Sequence, residues 1–195
     1  MDSIKEIEDY IQRNFSEKRK VHTEGVKNTA IKLAKIYGCD EKKAETAALF
    51  HDMYRGVSEN SLNYYVKHLG LDPKYLNNCN LAHGKIAAII MKRDFEIEDM
   101  DIINAVSYHT TGRPGMSLLE KIIYIADATE PNRIYPGVEK LRELSTIDLD
   151  KACLLSLENT INYVKASGKY LDNETILAKE YFINIISKKE ELNDK

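Results

Sequence analysis

The 195-residue sequence is poor in cysteine, proline and glycine. Its three cysteines, Cys39, Cys79 and Cys153, form no CxxC pair, and an odd, unpatterned set argues for a reducing compartment and against a zinc–thiolate cluster. Only four prolines and nine glycines interrupt the chain. This scarcity favours long helices over an architecture of strands and turns.

Long apolar runs and an excess of basic charge are also missing. No run approaches the roughly 18 residues needed to cross a bilayer, and the start MDSIKEIEDY lacks the basic and apolar regions of a signal peptide. The net charge is −3, which argues against a nucleic-acid binder held by a broad basic field. We therefore expect a cytoplasmic protein with no membrane and no nucleic-acid partner.

What the sequence does contain is apolar residues at helical spacing along almost its whole length. The pattern predicts an N-terminal helix at about 2–14 and a helical stripe from Val26 to Tyr37 that ends at Gly38. Asp40 reads as the N-cap of a further helix, which is rich in alanine and runs into His51-Asp52.

Later segments continue the helical pattern. Further helices are predicted at about 81–93, 98–108, 116–128, 149–166 and 174–188. The segment 55–80 reads as short helices and loops, Pro131 and Pro136 bracket a loop, and the tail KKEELNDK is predicted to fray. No repeat or linker divides the chain, so we expect one all-α domain over 1–195, with about eight to ten helices and a core at about 18–170.

Residues of the metal-ligating kind stand at the ends of several of these apolar helices. His51 and Asp52 end a helix that must pack in the core, where two unpaired ionisable groups are costly to bury. The same residue types recur at other helix ends, at His22, His83, His109 and Asp127. Metal coordination offsets the cost of burial, because imidazole and carboxylate both suit first-row divalent metals.

Each of these residues alone has an ordinary structural explanation. A single histidine on an apolar helix face is more often a hydrogen-bonded core residue than a ligand, and an HD dipeptide occurs by chance in many chains. Asp127 could bond a nearby backbone group at its helix end. His68, near a helix C-terminus where a cation favours the macrodipole, we interpret as structural or exposed. The six residues together point to a metal site.

The order His22, His51-Asp52, Asp127 resembles the HD-domain phosphohydrolase superfamily, whose ligands follow H…HD…D. Five strings narrow the resemblance to the YqeK-type symmetrical diadenosine tetraphosphate hydrolases over about residues 18–170: RKVHTEGV, LFHDMYR, LAHGKIAA, YHTTGRPGM and KIIYIADATEPNR. Two positions depart from that family, because Arg55 and Ala128 stand where lysine is common. The first change keeps the charge but alters its geometry, and the second removes a charge.

The resemblance implies two metal ions and cleavage of diadenosine tetraphosphate to two ADP by metal-activated water. Asp52 would bridge the metals and, with Arg55, be catalytic. The remaining ligands would be His22, His51 and Asp127 on one metal and His83 and His109 on the other. Iron, divalent or mixed-valence, is favoured by the resemblance, with manganese or zinc as alternatives.

A phosphate chain of this kind needs fixed cations and accessible backbone N–H groups. Candidate substrate contacts are Arg19, His22, His83, Gly84, Lys85, Ile86, Thr110, Thr111, Gly112, Arg113, Arg133 and Tyr170. Arg19 is either a phosphate clamp or a solvated member of the run KRK. Tyr170 either stacks on a base or packs as an ordinary tyrosine.

Other functions stay open. The same metal site suits an HD phosphohydrolase that acts on a guanosine polyphosphate or a nucleoside monophosphate. A regulatory module that binds nucleotide without catalysis is a second alternative, although an intact set of six ligands argues against it. A purely structural scaffold gives no reason to bury six ligand-type groups. The sequence is compatible with a monomer or a homodimer.

Overall fold

The computed structural model describes residues 3–193, which form ten α-helices and one short 3-10 helix and contain no β-strand. In chain order the α-helices are α1 (Ser3–Asn14), α2 (Glu17–Tyr37), α3 (Glu41–Phe50), α4 (Glu59–His68), α5 (Cys79–Asp94), α6 (Met100–Tyr108), α7 (Leu118–Thr129), α8 (Val138–Ser145), α9 (Leu149–Ala166) and α10 (Asn173–Asn193). The 3-10 helix, Pro73–Tyr75, lies between α4 and α5. The predicted all-α class is confirmed. Within the described range, no helix combines the length and apolar character needed to cross a membrane.

The junction between α2 and α3 follows local signals in the sequence. Gly38 adopts the left-handed conformation with φ +71°, and its N–H donates to the carbonyl of Ala34, which ends α2. The carboxylate of Asp40 then accepts from the backbone N–H groups of Lys42 and Lys43, at 2.8 and 3.2 Å, and starts α3. Both predicted boundaries are confirmed.

Helix α7 is the centre of the bundle and contacts α2, α3, α6, α8 and α9. Its residues Ile122, Ile123 and Ile125 are completely buried, as expected for a helix that is apolar on most of its surface. The pairs α2–α3 and α5–α6 pack on each other, and α3 and α6 both pack on α7. The ends of α3 and α6 are thereby brought next to α7.

One helix was not predicted. No element was predicted for residues 138–145, whereas the structure has α8 there. Only Val138, Leu141 and Ser145 of this short helix are buried, so its apolar stripe is too brief to recognise beside Pro136.

The predicted fraying of the tail is wrong as far as Asn193, because α10 continues to that residue. Two ion pairs fasten this last part of α10 to α9: Lys189 to Asp150 at 2.5 Å and Lys151 to Glu190 at 2.8 Å. The predicted first residue of α1 and the last two residues of the tail lie outside the described residues.

Phe182 and Ile183 provide a matched test of how α10 packs. Phe182 is completely buried and Ile183 is 40% exposed. Phe182→Ala should lower the free energy of unfolding by about 3–5 kcal/mol, since it removes buried apolar surface and leaves a cavity. Ile183→Ala should change it by no more than roughly 0.5 kcal/mol. Urea denaturation followed by circular dichroism measures both, and equal losses would contradict the described packing.

Candidate metal centre

The six residues predicted to bind metal come from the ends and faces of five helices and meet at one place. Two groups could each hold a metal ion: His22, His51 and Asp52 form the first, and Asp52, His83 and His109 form the second. In each group the ligand atoms lie within 4.8 Å of one another. Asp52 belongs to both groups, so one carboxylate links them.

The two oxygens of Asp52 face different histidines. Its Oδ2 lies 3.7 Å from His22 Nε2 and 3.8 Å from His51 Nε2, whereas Oδ1 lies 3.1 Å from His83 Nε2. Asp127 adds a second carboxylate to the first group, because its Oδ1 is 3.2 Å from His22 Nε2. This is the arrangement that a bridging carboxylate requires.

Hydrogen bonds on the outer side of the rings determine the tautomers of three histidines. The Nδ1 atoms of His51, His83 and His109 lie 2.5, 2.6 and 2.7 Å from the backbone carbonyl oxygens of Ala48, Cys79 and Val106, respectively. A carbonyl can only accept, so each Nδ1 carries a hydrogen, and when the ring is neutral its Nε2 is the atom left to bind a metal. Metal-ligating histidines are held in this way in proteins.

The Nε2 atoms of the four histidines face one another at short range. His83 Nε2 lies 3.0 Å from His109 Nε2, and His51 Nε2 lies 3.3 Å from His22 Nε2. Two lone pairs at such distances repel unless a cation or a proton lies between them. Burial, together with the neighbouring His83 and His51, lowers the pKa of His109 to about 3. A proton is therefore disfavoured on His109, and the pair it forms with His83 fits a metal cation.

The two carboxyl groups are ionised in the same surroundings. Burial acts to raise the pKa of Asp127, but the hydrogen bond with His22 and the charge of Arg133 outweigh it and keep the pKa below the ordinary range. For Asp52, burial is likewise outweighed, by the charge of His51 and the hydrogen bond with His83, and the pKa is well below its usual value. Both side chains can therefore coordinate as carboxylates.

Glu130 is a functional residue that the sequence analysis missed. It is 2% exposed, and its Oε1 lies 3.1 Å from His22 Nδ1. Its Oε2 accepts from the backbone and side-chain amides of Asn132, at 2.7 and 3.0 Å. A carboxylate behind a ligating histidine orients the ring and raises its basicity. Its spacing could have indicated this role, because Glu130 follows Asp127 by three residues and residues three apart in a helix lie on the same face.

Two of the predicted phosphate-binding arginines lie directly against the ligand carboxylates. Arg19 Nη1 donates to Asp52 Oδ2 at 2.6 Å. Arg133 donates from Nε to the backbone carbonyl of Asp127 at 2.7 Å and from Nη2 to its carboxylate. Both guanidinium groups are partly exposed, so they form a cationic rim on the first group of ligands.

Three other residues that were predicted to contact the substrate instead form hydrogen bonds with glutamates that were not among the predicted site residues. Lys85 Nζ and Thr111 Oγ1 both lie near Glu174 Oε2, at 3.3 and 3.2 Å. Arg113 donates to both oxygens of the buried Glu120, at 2.6 and 2.8 Å. A phosphate would have to compete with these carboxylates for the same donors.

The structure gives three predicted substrate contacts packing roles instead. Ile86 is completely buried in the hydrophobic core. The N–H of Gly112 donates to the carbonyl of Tyr108 at 2.8 Å, so it is not available to a phosphate. At Gly84 an added Cβ would lie 2.8 Å from the carbonyl of Val106 and 2.9 Å from Cε1 of His109. This glycine allows α5 to approach α6 and the His109 ring closely.

The catalytic role of Arg55 and the substrate contacts of Thr110 and Tyr170 remain predictions. Arg55 Nη2 donates to Asn80 Oδ1 at 2.5 Å, and among the described residues it makes no hydrogen bond to the six ligands. Thr110 is half-buried between His109 and Thr111, and Tyr170 is 56% exposed in the loop between α9 and α10.

Comparison with known proteins identifies the family. Residues 19–132, which include all six candidate ligands, match the family described as HD domain. The chain belongs to the HD-domain family. The family resemblance seen in the sequence is thus confirmed.

This HD domain is similar to curated proteins over most of its length. It is 38% identical over 175 residues to the symmetrical bis(5'-nucleosyl)-tetraphosphatase of Bacillus subtilis. The aligned region covers 89% of this chain and 94% of that protein. It is 41% identical over 167 residues to the protein of the same name from Halalkalibacterium halodurans, covering 85% and 89%.

A crystal structure from Clostridium acetobutylicum is similar in both fold and sequence. It is described as a predicted HD superfamily hydrolase involved in NAD metabolism. The TM-score is 0.87 at 43% identity, covering 92% of this chain and 96% of that one.

Substitution of Gly84 tests the close approach on which the second ligand group depends. Alanine normally stabilises a helix interior by about 0.5–1 kcal/mol over glycine. Gly84→Ala should instead lower the melting temperature and the metal bound per chain, because the added Cβ meets Val106 and His109. At Gly56 an added Cβ meets only Arg19 Nε, at 3.6 Å, so Gly56→Ala should keep its metal. Elemental analysis after reconstitution measures both, and full metal content in Gly84→Ala would contradict the packing.

Proposed function

We propose that this chain hydrolyses dinucleoside tetraphosphates symmetrically and releases two ADP from diadenosine tetraphosphate. The observation that carries the proposal is the pair of ligand groups joined by Asp52, with arginines at their rim. The near full-length similarity to symmetrical bis(5'-nucleosyl)-tetraphosphatases supports the same substrate class. A tetraphosphate is a chain of negative charges, and its hydrolysis asks the protein mainly for positioning and charge neutralisation.

The six ligands would hold two metal ions. We propose that His22, His51 and Asp127 bind one, that His83 and His109 bind the other, and that Asp52 is shared. Imidazole and carboxylate without thiolate suit iron or manganese, and zinc also fits; we propose iron. When bound, such ions neutralise phosphoryl charge and lower the pKa of a coordinated water.

Arg19 and Arg133 would hold the polyphosphate on the side of the first ligand group. Their guanidinium groups already lie against Asp52 and Asp127, and their planar donor sets match phosphate oxygens. Because each donates to a ligand carboxylate, each also restrains that carboxylate. These arginines would therefore position the phosphate chain relative to the ligand carboxylates and the attacking water.

Lys85, Thr110 and Thr111 would act on the side of the second group. Lys85 and Thr111 each follow one of its histidines by two residues, and both now lie on Glu174. A phosphate that displaced this carboxylate would find an ammonium and a hydroxyl already directed to one point. Tyr170 is proposed to stack on a base, and Arg55 to move from Asn80 towards the reacting phosphate.

Product analysis in ¹⁸O-labelled water tests the proposed function. With iron or manganese present, diadenosine tetraphosphate should give ADP as the sole nucleotide, and half of the ADP should carry one ¹⁸O, since water attacks one of the two inner phosphorus atoms. Chromatography and mass spectrometry measure both. ATP with AMP would overturn symmetrical cleavage. Exclusive turnover of a guanosine polyphosphate or a nucleoside monophosphate would overturn the substrate class.

Replacement of the shared carboxylate tests the ligand set. Asp52→Asn should lose bound metal and roughly 10²- to 10³-fold in kcat, the range found when a group that stabilises the transition state is removed. Asp94→Asn is the matched control, because Asp94 is exposed and pairs with Arg93 at the far end of α5. Metal content and initial rates are compared for the two variants. Unchanged metal and rate in Asp52→Asn would refute the bridging role.

A further inference from the structure

Symmetrical cleavage places one nucleoside on each side of the bond that breaks, so a site for each nucleoside is needed. On the side of the second ligand group, the proposed phosphate contacts are Lys85 and Thr111, and Tyr170 is the proposed base contact. On the other side, the proposed phosphate contacts are Arg19 and Arg133, and the second base needs a contact of its own.

A cavity of about 410 Å³ lies between α1, α4 and the turn that follows Asp52. Its volume falls within the roughly 300–1,000 Å³ of small-molecule sites. Four tyrosines line it: Tyr10 of α1, Tyr54 of the turn, and Tyr64 and Tyr65 of α4. Such a concentration of rings offers flat apolar faces of the kind on which bases stack.

Arg19 connects this cavity with the first ligand group on the side of α1. Its Nη1 contacts Asp52 at 2.6 Å, while its guanidinium carbon lies 5.9 Å from the centre of the Phe15 ring. The Phe15 ring is in turn 6.2 Å from that of Tyr10, which lines the cavity. A cation with an aromatic neighbour therefore lies between the shared carboxylate and the cavity.

The turn after Asp52 forms the second connection. Gly56 faces Arg19, since a Cβ added there would lie 3.6 Å from Arg19 Nε. The next residue, Val57, lines the cavity. Arg19, which donates to Asp52, thus also lies beside the turn whose residue Val57 lines the cavity.

The ring of Tyr64 is the most accessible in the cavity, with 55% of the residue exposed. His68 stacks on one of its faces, with ring centres 3.8 Å apart and planes inclined by 26°, and Tyr65 packs edge to face with it at 5.7 Å. Tyr54 and Tyr65 pack edge to face at 4.8 Å and form a firm wall. Asn60 also lines the cavity, and a side-chain amide carries both a donor and an acceptor, as the edge of adenine does.

We propose that this tyrosine-lined cavity binds the nucleoside of one ADP half of the substrate, with its base stacked on Tyr64 and its phosphates held by Arg19. The inference rests on the proposed function, because it assigns a site to the second nucleoside of the same substrate. It makes Tyr64 a specificity-determining residue for dinucleoside over mononucleoside polyphosphates.

Tyr64→Ala should raise KM for diadenosine tetraphosphate by roughly 5- to 100-fold, the range for loss of one stacked ring, with kcat little changed. KM for adenosine 5'-tetraphosphate should stay within about twofold, because its single nucleoside can occupy the opposite site. Tyr64→Phe keeps the ring and should behave as the wild type. Tyr163→Ala is the matched control, since Tyr163 is 62% exposed and does not line the cavity.

Calorimetry with a diadenosine tetraphosphate analogue that has a methylene group between its central phosphorus atoms separates this inference from the proposed function. Binding that weakens in Tyr64→Ala and returns in Tyr64→Phe supports the cavity, even if the wild type does not release ADP. Cleavage to ADP with unchanged affinity in Tyr64→Ala overturns the cavity and leaves the proposed function intact. Equal losses for both tetraphosphates, or failure of Tyr64→Phe to restore affinity, also overturn it.

Discussion

Three imidazole rings are held by backbone carbonyls with their Nε2 atoms pointing inward, towards a fourth ring and a shared carboxylate. Without a cation this convergence is repulsive, and it persists because the acceptors that impose it belong to the helices. Ala48 and Val106 lie in the last turns of α3 and α6, where carbonyls lack partners within the helix. The histidines satisfy these carbonyls, so the ends of the helices and the ligand groups stabilise each other.

The close helix packing around α7 also brings the ligand side chains together. Small residues let the ligands meet: Gly84 brings α5 against His109, and Gly25 leaves room for Glu130, whose Oε2 would lie 2.6 Å from a Cβ added there. Charged residues then restrain the carboxylates, with Arg19 on Asp52 and Arg133 on Asp127. The site is therefore rigid in its inner layer and partly exposed at its cationic rim.

The sequence predicted the parts of this arrangement that depend on local pattern. Most helices with long apolar stripes were placed within a few residues, although α2 begins at Glu17, before the stripe predicted from Val26. The six candidate ligands were selected because their chemistry is costly to bury without a partner. The sequence could not reveal which residues far apart along the chain contact each other. Glu174 lies 89 residues from Lys85, and no spacing rule connects them. Likewise, the place of Ile86 beside a ligand motif did not show that its side chain points into the core.

The ligands are spread over α2, α3, α5, α6 and α7, and this non-local origin has a consequence for assembly of the protein. No stretch shorter than residues 22–127 contains the whole set. During synthesis the set stays incomplete until α7 has left the ribosome, so early segments offer only partial groups of ligands. The complete set can therefore be occupied only once α7 is in place. Within it, the side chains of His22 and Asp127 keep partial contact with solvent, on the side where the arginines lie.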